Sequence, residues 1–477
     1  MGDPQAIRAE VERIVRSPPE DRAAVFRAGA AALAHGMARE ADAMFSMGLQ
    51  ALLHYIGRRD AARALAAEAE LYNTFVKAVE SEDHYERCFA QWREPMLGLG
   101  RACAGPPVGR VPRGDAPGIA FVFHTGSVLG HTEVLMRLLE TRDRARARPR
   151  VYSLFGQNDE FAARAAGVGV PVEAWPGGAG GPHDWLRERM AFHGESAAVW
   201  VSAPPMALFV FGARVAPVQV FWSLKYHPVR APEIDGYLTY GSWGERERVF
   251  HGQRWTVCPV PLALDPRIPD PAQVRALRAR FPHQVLLGTL AREEKIASRP
   301  FLESVAAILK RHPEAGFLWT GRARHAGIDS VLASLGVADR CHFAGWVDTP
   351  LYAAVLDVFL ETFPLGCGIT GYQALGAGVP LLSYLDANTV FGMQYWAEIA
   401  GSPGRPTRER LDEYPLLAAR DPAEYVELAS RLIADPDFRE SWRARERAYY
   451  EEEIANIARY SRRFFDTIAA IEPRPPG

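Results

Sequence analysis

Hydrophobic and polar positions follow two different rhythms along this 477-residue chain. From Arg22 to Arg87 apolar residues recur at helical spacing among Ala, Leu, Met, Arg and Glu, and no proline interrupts Asp21 through Glu94. The pattern predicts a helical region over residues 1–104, with breaks near Gly36, Gly48 and Gly57-Arg58-Arg59. No repeat period emerges, so this region reads as a helical cap or oligomerisation element, or as an acceptor-docking module. Residues 105–116, GPPVGRVPRGDA, form a Gly- and Pro-rich linker.

Beyond the linker, short apolar runs alternate with amphipathic stretches, the mark of a parallel sheet with crossover helices. Strands are expected at Ile119–Phe123, Val151–Phe155, Ala198–Val201, Val218–Trp222, Gly236–Thr239 and Thr256–Val260, with a helix at His131–Glu140. Three prolines in Leu262–Pro271 mark a second boundary, after which the alternation restarts. Strands follow at Val285–Leu290, Gly316–Thr320, Cys341–Ala344 and Val355–Leu360, with helices at Arg299–His312, Ile328–Leu335 and Ala423–Ala434. One long charged helix is expected from Phe438 to Ile471. The Asp435/Asp437 pair before it reads as an N-cap with an acidic first turn rather than a metal site. The expected domains are thus 1–104 (helical), 117–264 and 272–440 (each Rossmann-like), and 441–477 (helix and tail). Ligands of such sheets sit beyond the carboxyl ends of the strands.

The most informative stretch is Phe359–Leu382, FLETFPLGCGITGYQALGAGVPLL. An apolar strand leads into glycines 366 and 368, Ile369-Thr370-Gly371 opens a helix, and Gly378-Val379-Pro380 starts the next strand. A helix N-terminus offers free N–H groups and partial positive charge, and small residues let an anion reach the main chain. The turn therefore reads as a phosphate seat, with Gly368, Ile369, Thr370 and Gly371 as its donors.

Composition narrows the field. A net charge of −2 argues against a general nucleic-acid binder. Five cysteines lack any C-x-x-C or finger spacing, and the N-terminus lacks an apolar signal core, so a reduced, cytoplasmic setting without a membrane span is expected. Lysine is confined to positions 77, 225, 295 and 310, which makes Lys295, near a strand end, conspicuous.

The segment HFAGWVDTPLYAAVLDVFLETFPLGCGITGYQALGAGVPLLSY resembles the donor-binding half of GT-B glycosyltransferases. It is most similar to the family 41 group of O-linked N-acetylglucosamine transferases and bacterial cytoplasmic N-glycosyltransferases. Phe363-Pro364-Leu365-Gly366 and Gly368-Ile369-Thr370-Gly371 match the family's turn and helix start, and TLAREEKIAS (Thr289–Ser298) resembles its strand-end turn with a diphosphate-binding lysine, here Lys295. FVFHTGSVLGHTEVLMRLLE (Phe121–Glu140) resembles the first strand and donor-facing loop, with Gly130-His131 at the family's histidine. APVQVFWSLKYHP and IDGYLTYGS continue the likeness through the first half. One departure stands out: the relatives' ribose-binding carboxylate is Gln373 here, whose amide can both accept and donate. The two-glutamate motif of the retaining family 4 enzymes is incomplete.

The resemblance implies an α/β GT-B fold, two Rossmann-like domains facing a cleft, preceded by a helical region. It implies a metal-independent transferase without cofactor, moving a hexosyl or N-acetylhexosaminyl group from a UDP-sugar to a protein side chain, Ser/Thr or Asn, with inversion. The alternatives are a glycan, lipid or small-molecule acceptor, an epimerase of the same fold, or a degenerate nucleotide-binding scaffold. Lys295 and His131 are the expected catalytic residues, the histidine as base or donor contact. Arg292 is a second cation, Trp346 a stacking partner for the base, and Gln373 a ribose contact. His124, Tyr226 and His227 are expected on the acceptor side, and Asp235 and Glu133 are further candidate carboxylate bases. Cys367 lacks a paired base and reads as a small tolerated residue.

Overall fold

A computed structural model describes residues 4–19, 24–34, 37–76, 82–105, 116–128, 130–178, 181–201, 205–224, 229–241, 245–250, 252–261, 267–363, 366–385 and 407–473, with the backbone alone at 34, 76, 82–85, 250, 294 and 410. The chain divides into two units. The first holds residues 1–240, 246–259 and 461–477, and the second holds 241–245 and 260–460.

The first unit opens on helices Pro4–Arg16, Val25–Ala34, Ala38–Gly57, Ala61–Leu71 and Glu82–Ala102. The expected break at Gly57 is present, but Gly48 lies inside a helix. A Cβ there would sit 3.1 Å from both Leu71 and Phe26, so this glycine serves close helix packing rather than a turn. The sheet of this unit comprises β1 (Gly118–Phe123), β2 (Arg148–Ser153), β3 (Val172–Ala174), β4 (Glu195–Val201), β5 (Val218–Ser223), β6 (Gly236–Thr239), β7 (Glu247–Phe250) and β8 (Gln253–Val257). Their order is β3-β2-β1-β4-β5-β6-β8-β7, parallel except for the β7–β8 pair. β1 and β5 are buried along their whole length, which is why they read as continuous apolar runs.

The second unit carries β9 (Val285–Thr289), β10 (Ala315–Trp319), β11 (Cys341–Phe343), β12 (Val358–Leu360), β13 (Leu381–Tyr384) and β14 (Leu417–Ala419), all parallel, ordered β11-β10-β9-β12-β13-β14. In both sheets the strand order reverses direction beside the first strand, between β1 and β4 and between β9 and β12. Such a switch point opens a crevice at the carboxyl ends of the strands. β12 is shorter than its apolar run suggested, because Val355 and Leu356 are spent on packing before the strand begins. The short strands β3, β7 and β14 escaped the sequence reading, since three or four residues carry too little alternation to register.

The expected single tail helix is two. Pro436–Tyr449 ends in a π turn at Tyr450–Ile454, and a separate helix runs over Ile457–Ala469. Asp435 is the N-cap of the former, accepting from the Phe438 N–H at 2.9 Å, and Asp437 lies in its first turn. From Ser461 onward the chain belongs to the first unit: Phe464 stacks on Phe121 at 6.1 Å and packs tilted against Trp222 at 4.7 Å.

A buried carboxylate ties the helical region to the first sheet. Glu68 accepts from Trp92 Nε1 at 3.3 Å and from the Met206 N–H at 2.8 Å, the latter just past β4. Burial pushes this carboxyl up to about 7 against the pull of both donors. The unfolded chain gives up the proton near the ordinary glutamate value of about 4.5, so the folded state binds more protons above that pH. The associated stability is complete below about 4.5 and is lost as pH rises through about 7. Glu68→Gln keeps an acceptor but does not titrate. Thermal unfolding should show the wild type losing on the order of 3 kcal/mol more than this variant between about pH 5 and about pH 8. Parallel pH slopes for the two proteins would contradict this role for Glu68.

Candidate functional site

The crevice of the second sheet is built from the carboxyl ends of its central strands. Ala291 follows β9 and Thr320 follows β10, and the two are locked together. The Ala291 N–H donates to Thr320 Oγ1 at 3.0 Å, and that hydroxyl donates to the Ala291 carbonyl at 3.1 Å. After Arg292 the chain makes a four-residue helical turn, Glu293–Ile296, which carries Lys295. Glu293 points away from that role: its Oε2 accepts from the Arg322 N–H at 2.9 Å.

Opposite, Glu361 ends β12 and a turn leads to the helix Ile369–Gly376. Phe363 anchors the start of the turn, stacked on Tyr384 at 4.1 Å and edge-on to Tyr425 at 5.2 Å. Pro364 and Leu365 lie outside the described residues. Gly368 caps the helix at φ 68°, ψ −130°, a conformation that only glycine adopts without strain. The Gly371 N–H closes back on the Gly368 carbonyl at 3.0 Å. Among the described residues the N–H groups of Ile369 and Thr370 have no acceptor. Thr370 Oγ1 donates to the Cys367 carbonyl at 3.3 Å, so this hydroxyl offers its lone pairs and not its proton. Lys295 Nζ donates to the Gly366 carbonyl, which brings the ammonium onto the same turn.

These pieces enclose a cavity of about 140 Å³ lined by Arg292, Lys295, Thr320, Trp346, Cys367 and Thr370 among others. Trp346 is 70% exposed, with the Arg322 guanidinium 5.9 Å from its ring centre. An exposed indole at a pocket rim is available for stacking. Gln373 sits one turn into the helix, and its Oε1 is buried with no partner among the described residues.

Glu361 beneath the turn, and Thr320 and Thr349 in the cavity wall, were missed by the sequence reading. Glu361 had a signal: a carboxylate ending the apolar run Val358–Leu360 is out of place unless paired. It is fully buried, and its Oε2 accepts from Ser383 Oγ at 2.5 Å while Cys367 Sγ lies 3.9 Å from Oε1. Burial first, and Glu361 second, push the Cys367 thiol well above its ordinary range, so it is protonated and unsuited to nucleophilic work.

The remaining candidates belong to the first unit. His131 starts the helix Gly130–Glu140, half-buried, with its ring stacked at 6.2 Å on Phe123 at the end of β1. His124 directly follows β1, stacked at 4.9 Å on Phe155, with Nδ1 2.9 Å from Thr125 Oγ1. Burial holds His124 below the usual imidazole range, which keeps it neutral near pH 7. Tyr226 and His227 lie outside the described residues. Two carboxylates drop out as free bases. Asp235 accepts from the Gln219 N–H at 2.7 Å and pairs with Arg214 at 3.0 Å, and Glu133 pairs with Arg164 at 3.3 Å.

No family model matches this chain, and no curated protein matches it in sequence. Solved structures do. An O-GlcNAc transferase mutant of Thermobaculum terrenum is 18% identical with a TM-score of 0.54, over 98% of this chain and 98% of that one. HepE of Anabaena, solved with UDP and glucose, is 12% identical at a TM-score of 0.54, over 74% of this chain and 100% of its own. A glycosyltransferase from Rickettsia africae is 9% identical at a TM-score of 0.54, over 75% and 99%. The chain has the GT-B fold.

The left-handed cap makes a direct prediction. Gly368→Ala should cost roughly 1–3 kcal/mol of stability, read as a fall of several degrees in the melting temperature. An unchanged melting temperature would mean that the turn is free to relax.

Proposed function

We propose that this protein transfers a sugar from a UDP-sugar to a protein side chain, Ser/Thr or Asn, without a metal ion and with inversion at the anomeric carbon. One observation carries the reading: Lys295 and Thr370, at the open N-terminus of the helix Ile369–Gly376, line one cavity at the switch point of the second sheet. A diphosphate is the ligand that such a set of donors suits. HepE, which shares the fold, holds UDP and glucose. The likeness to the Thermobaculum O-GlcNAc transferase covers 98% of this chain, so it includes most of the helical region, which supports a protein as acceptor.

In this mechanism the acceptor oxygen or nitrogen attacks the anomeric carbon as the bond to the β-phosphate oxygen breaks. The electron pair leaves with the diphosphate, whose new charge falls on the Lys295 ammonium and the Ile369 and Thr370 N–H dipoles. These donors are fixed in advance, so stabilising the charge requires little reorganisation. Arg292 adds a second cation at the rim, Trp346 stacks on the base, and the buried Gln373 Oε1 accepts from a ribose hydroxyl. His131 takes the proton of the acceptor, and His124 contributes to the acceptor side.

Purified protein should release UDP from one member of a UDP-sugar panel when given unfolded cell protein, and not when given lipid or oligosaccharide extracts. Lys295→Ala should lower kcat by about 10²–10³-fold with little change in melting temperature. Activity equal to the wild type would remove the lysine from the mechanism. Gln373→Ala should weaken UDP by about tenfold and leave pyrophosphate binding unchanged, as titration calorimetry would show. An equal loss for both ligands would assign Gln373 to the turn instead of the ribose.

A further inference from the structure

A second cavity lies at the opposite, amino-terminal edge of the first sheet, about 17–20 Å, one strand length, from the carboxyl edge of that sheet. It measures about 280 Å³, just below the roughly 300 Å³ at which small-molecule pockets begin. Its walls are the starts of β1, β2 and β4 and the turns before β2 and β3, and they carry Arg142, Arg144, Arg148, Arg150, His193 and Glu195.

The charges there do not cancel. Arg150 is matched: it contacts Glu173 at 3.0 Å and Glu195 at 3.3 Å. Glu173 also takes Arg189 at 2.5 Å and His193 at 2.7 Å, and Glu195 accepts from the Tyr152 hydroxyl at 2.7 Å. The other three arginines have no carboxylate within ion-pair distance among the described residues. Arg142 is pinned by backbone carbonyls, those of Leu139, Val168 at 3.0 Å and Gly169 at 2.9 Å, and its Nε is buried without a partner. The Arg148 side chain donates, among the described residues, only to the Ala116 carbonyl at 3.0 Å. Arg144 makes no hydrogen bond among the described residues. Carbonyls orient a guanidinium but leave its charge whole. Burial pushes the Glu195 carboxyl up to about 7, which thins the negative charge on this wall further. Arg142 is half-buried while Arg144 and Arg148 are exposed, and Glu195 on the same wall attracts Arg148, so the three guanidiniums face one partly neutralised carboxylate and a bound dianion balances the remaining charge.

We propose that this cavity binds a phosphoryl group, either free inorganic phosphate or the phosphate of a small phosphomonoester, as a site separate from the sugar-donor site. Arg142, Arg144 and Arg148 supply the donors in the fork geometry that suits phosphate oxygens. Glu173, Glu195, Tyr152, His193 and Arg189 form the satisfied network behind them.

The test is titration calorimetry at constant ionic strength, with inorganic phosphate and with glycerol phosphate as probes, on four proteins: wild type, Arg144→Ser, Arg148→Ser and Lys295→Ala. Among the described residues the Arg144 side chain makes no hydrogen bond or ion pair, so its variant leaves the mapped packing of the fold intact. Binding should weaken by about tenfold or more in each arginine variant and persist in Lys295→Ala. Glycerol phosphate binding more tightly than phosphate would identify an organic phosphomonoester, and equal binding would identify free phosphate. Three results would overturn the proposal: no heat with either probe up to about 10 mM, affinity unchanged in both arginine variants, or affinity lost in Lys295→Ala. The last would place the phosphate on the donor turn and leave the transferase reading intact.

Discussion

A single buried carboxylate holds the floor of the candidate site. Glu361 is sealed from water at the end of β12, where an unsatisfied charge would cost several kcal/mol. The groups that satisfy it are the ones that shape the pocket. Ser383 binds it from β13, Cys367 approaches it from the turn before the helix Ile369–Gly376, and the Tyr425 hydroxyl fixes its backbone carbonyl at 3.0 Å. The turn carrying Gly368 is therefore positioned from below by side-chain bonds, and Lys295 ties it from the other side through the Gly366 carbonyl. Its open N–H groups stay in place because neighbouring atoms are committed elsewhere.

The same device recurs where layers must be joined. Glu68 receives an indole and a backbone N–H, and so couples the helical region to the loop after β4. Glu446 receives the Leu381 N–H at 2.7 Å and the Leu417 N–H at 3.0 Å, and so fastens the helix Pro436–Tyr449 to the starts of β13 and β14. Burial pushes its carboxyl up to about 8. Each glutamate spans a seam where main-chain donors lack a strand partner, which explains why a desolvated acid is tolerated there.

Much of the site was legible in the chain. The glycine pattern around 366–371, the rare Lys295 and the apolar runs leading into them pointed to an anion seat between a strand end and a helix start, and these residues do come together. The details were not legible. That the Thr370 proton is committed to Cys367, that Gly371 spends its N–H on Gly368, and that Glu361 lies beneath the turn are consequences of three-dimensional closure. Asp235 looked like a free base because sequence shows a carboxylate but not the Gln219 and Arg214 groups that consume it. The tail read as one helix because the 3.6-residue rhythm passes through the π turn at Tyr450–Ile454 with little disturbance.

The sequence by itself determined the alternation of strands and helices, the two successive sheets and the glycine-capped turn between β12 and the helix Ile369–Gly376, because these rest on local periodicity and on backbone freedom at glycine. Only the tertiary structure decided which polar groups remain available. That, among the described residues, the arginines 142, 144 and 148 beside β2 pair with no carboxylate and Gln373 Oε1 has no partner is set by what packs against them, and packing partners far apart in the chain leave no trace in local pattern.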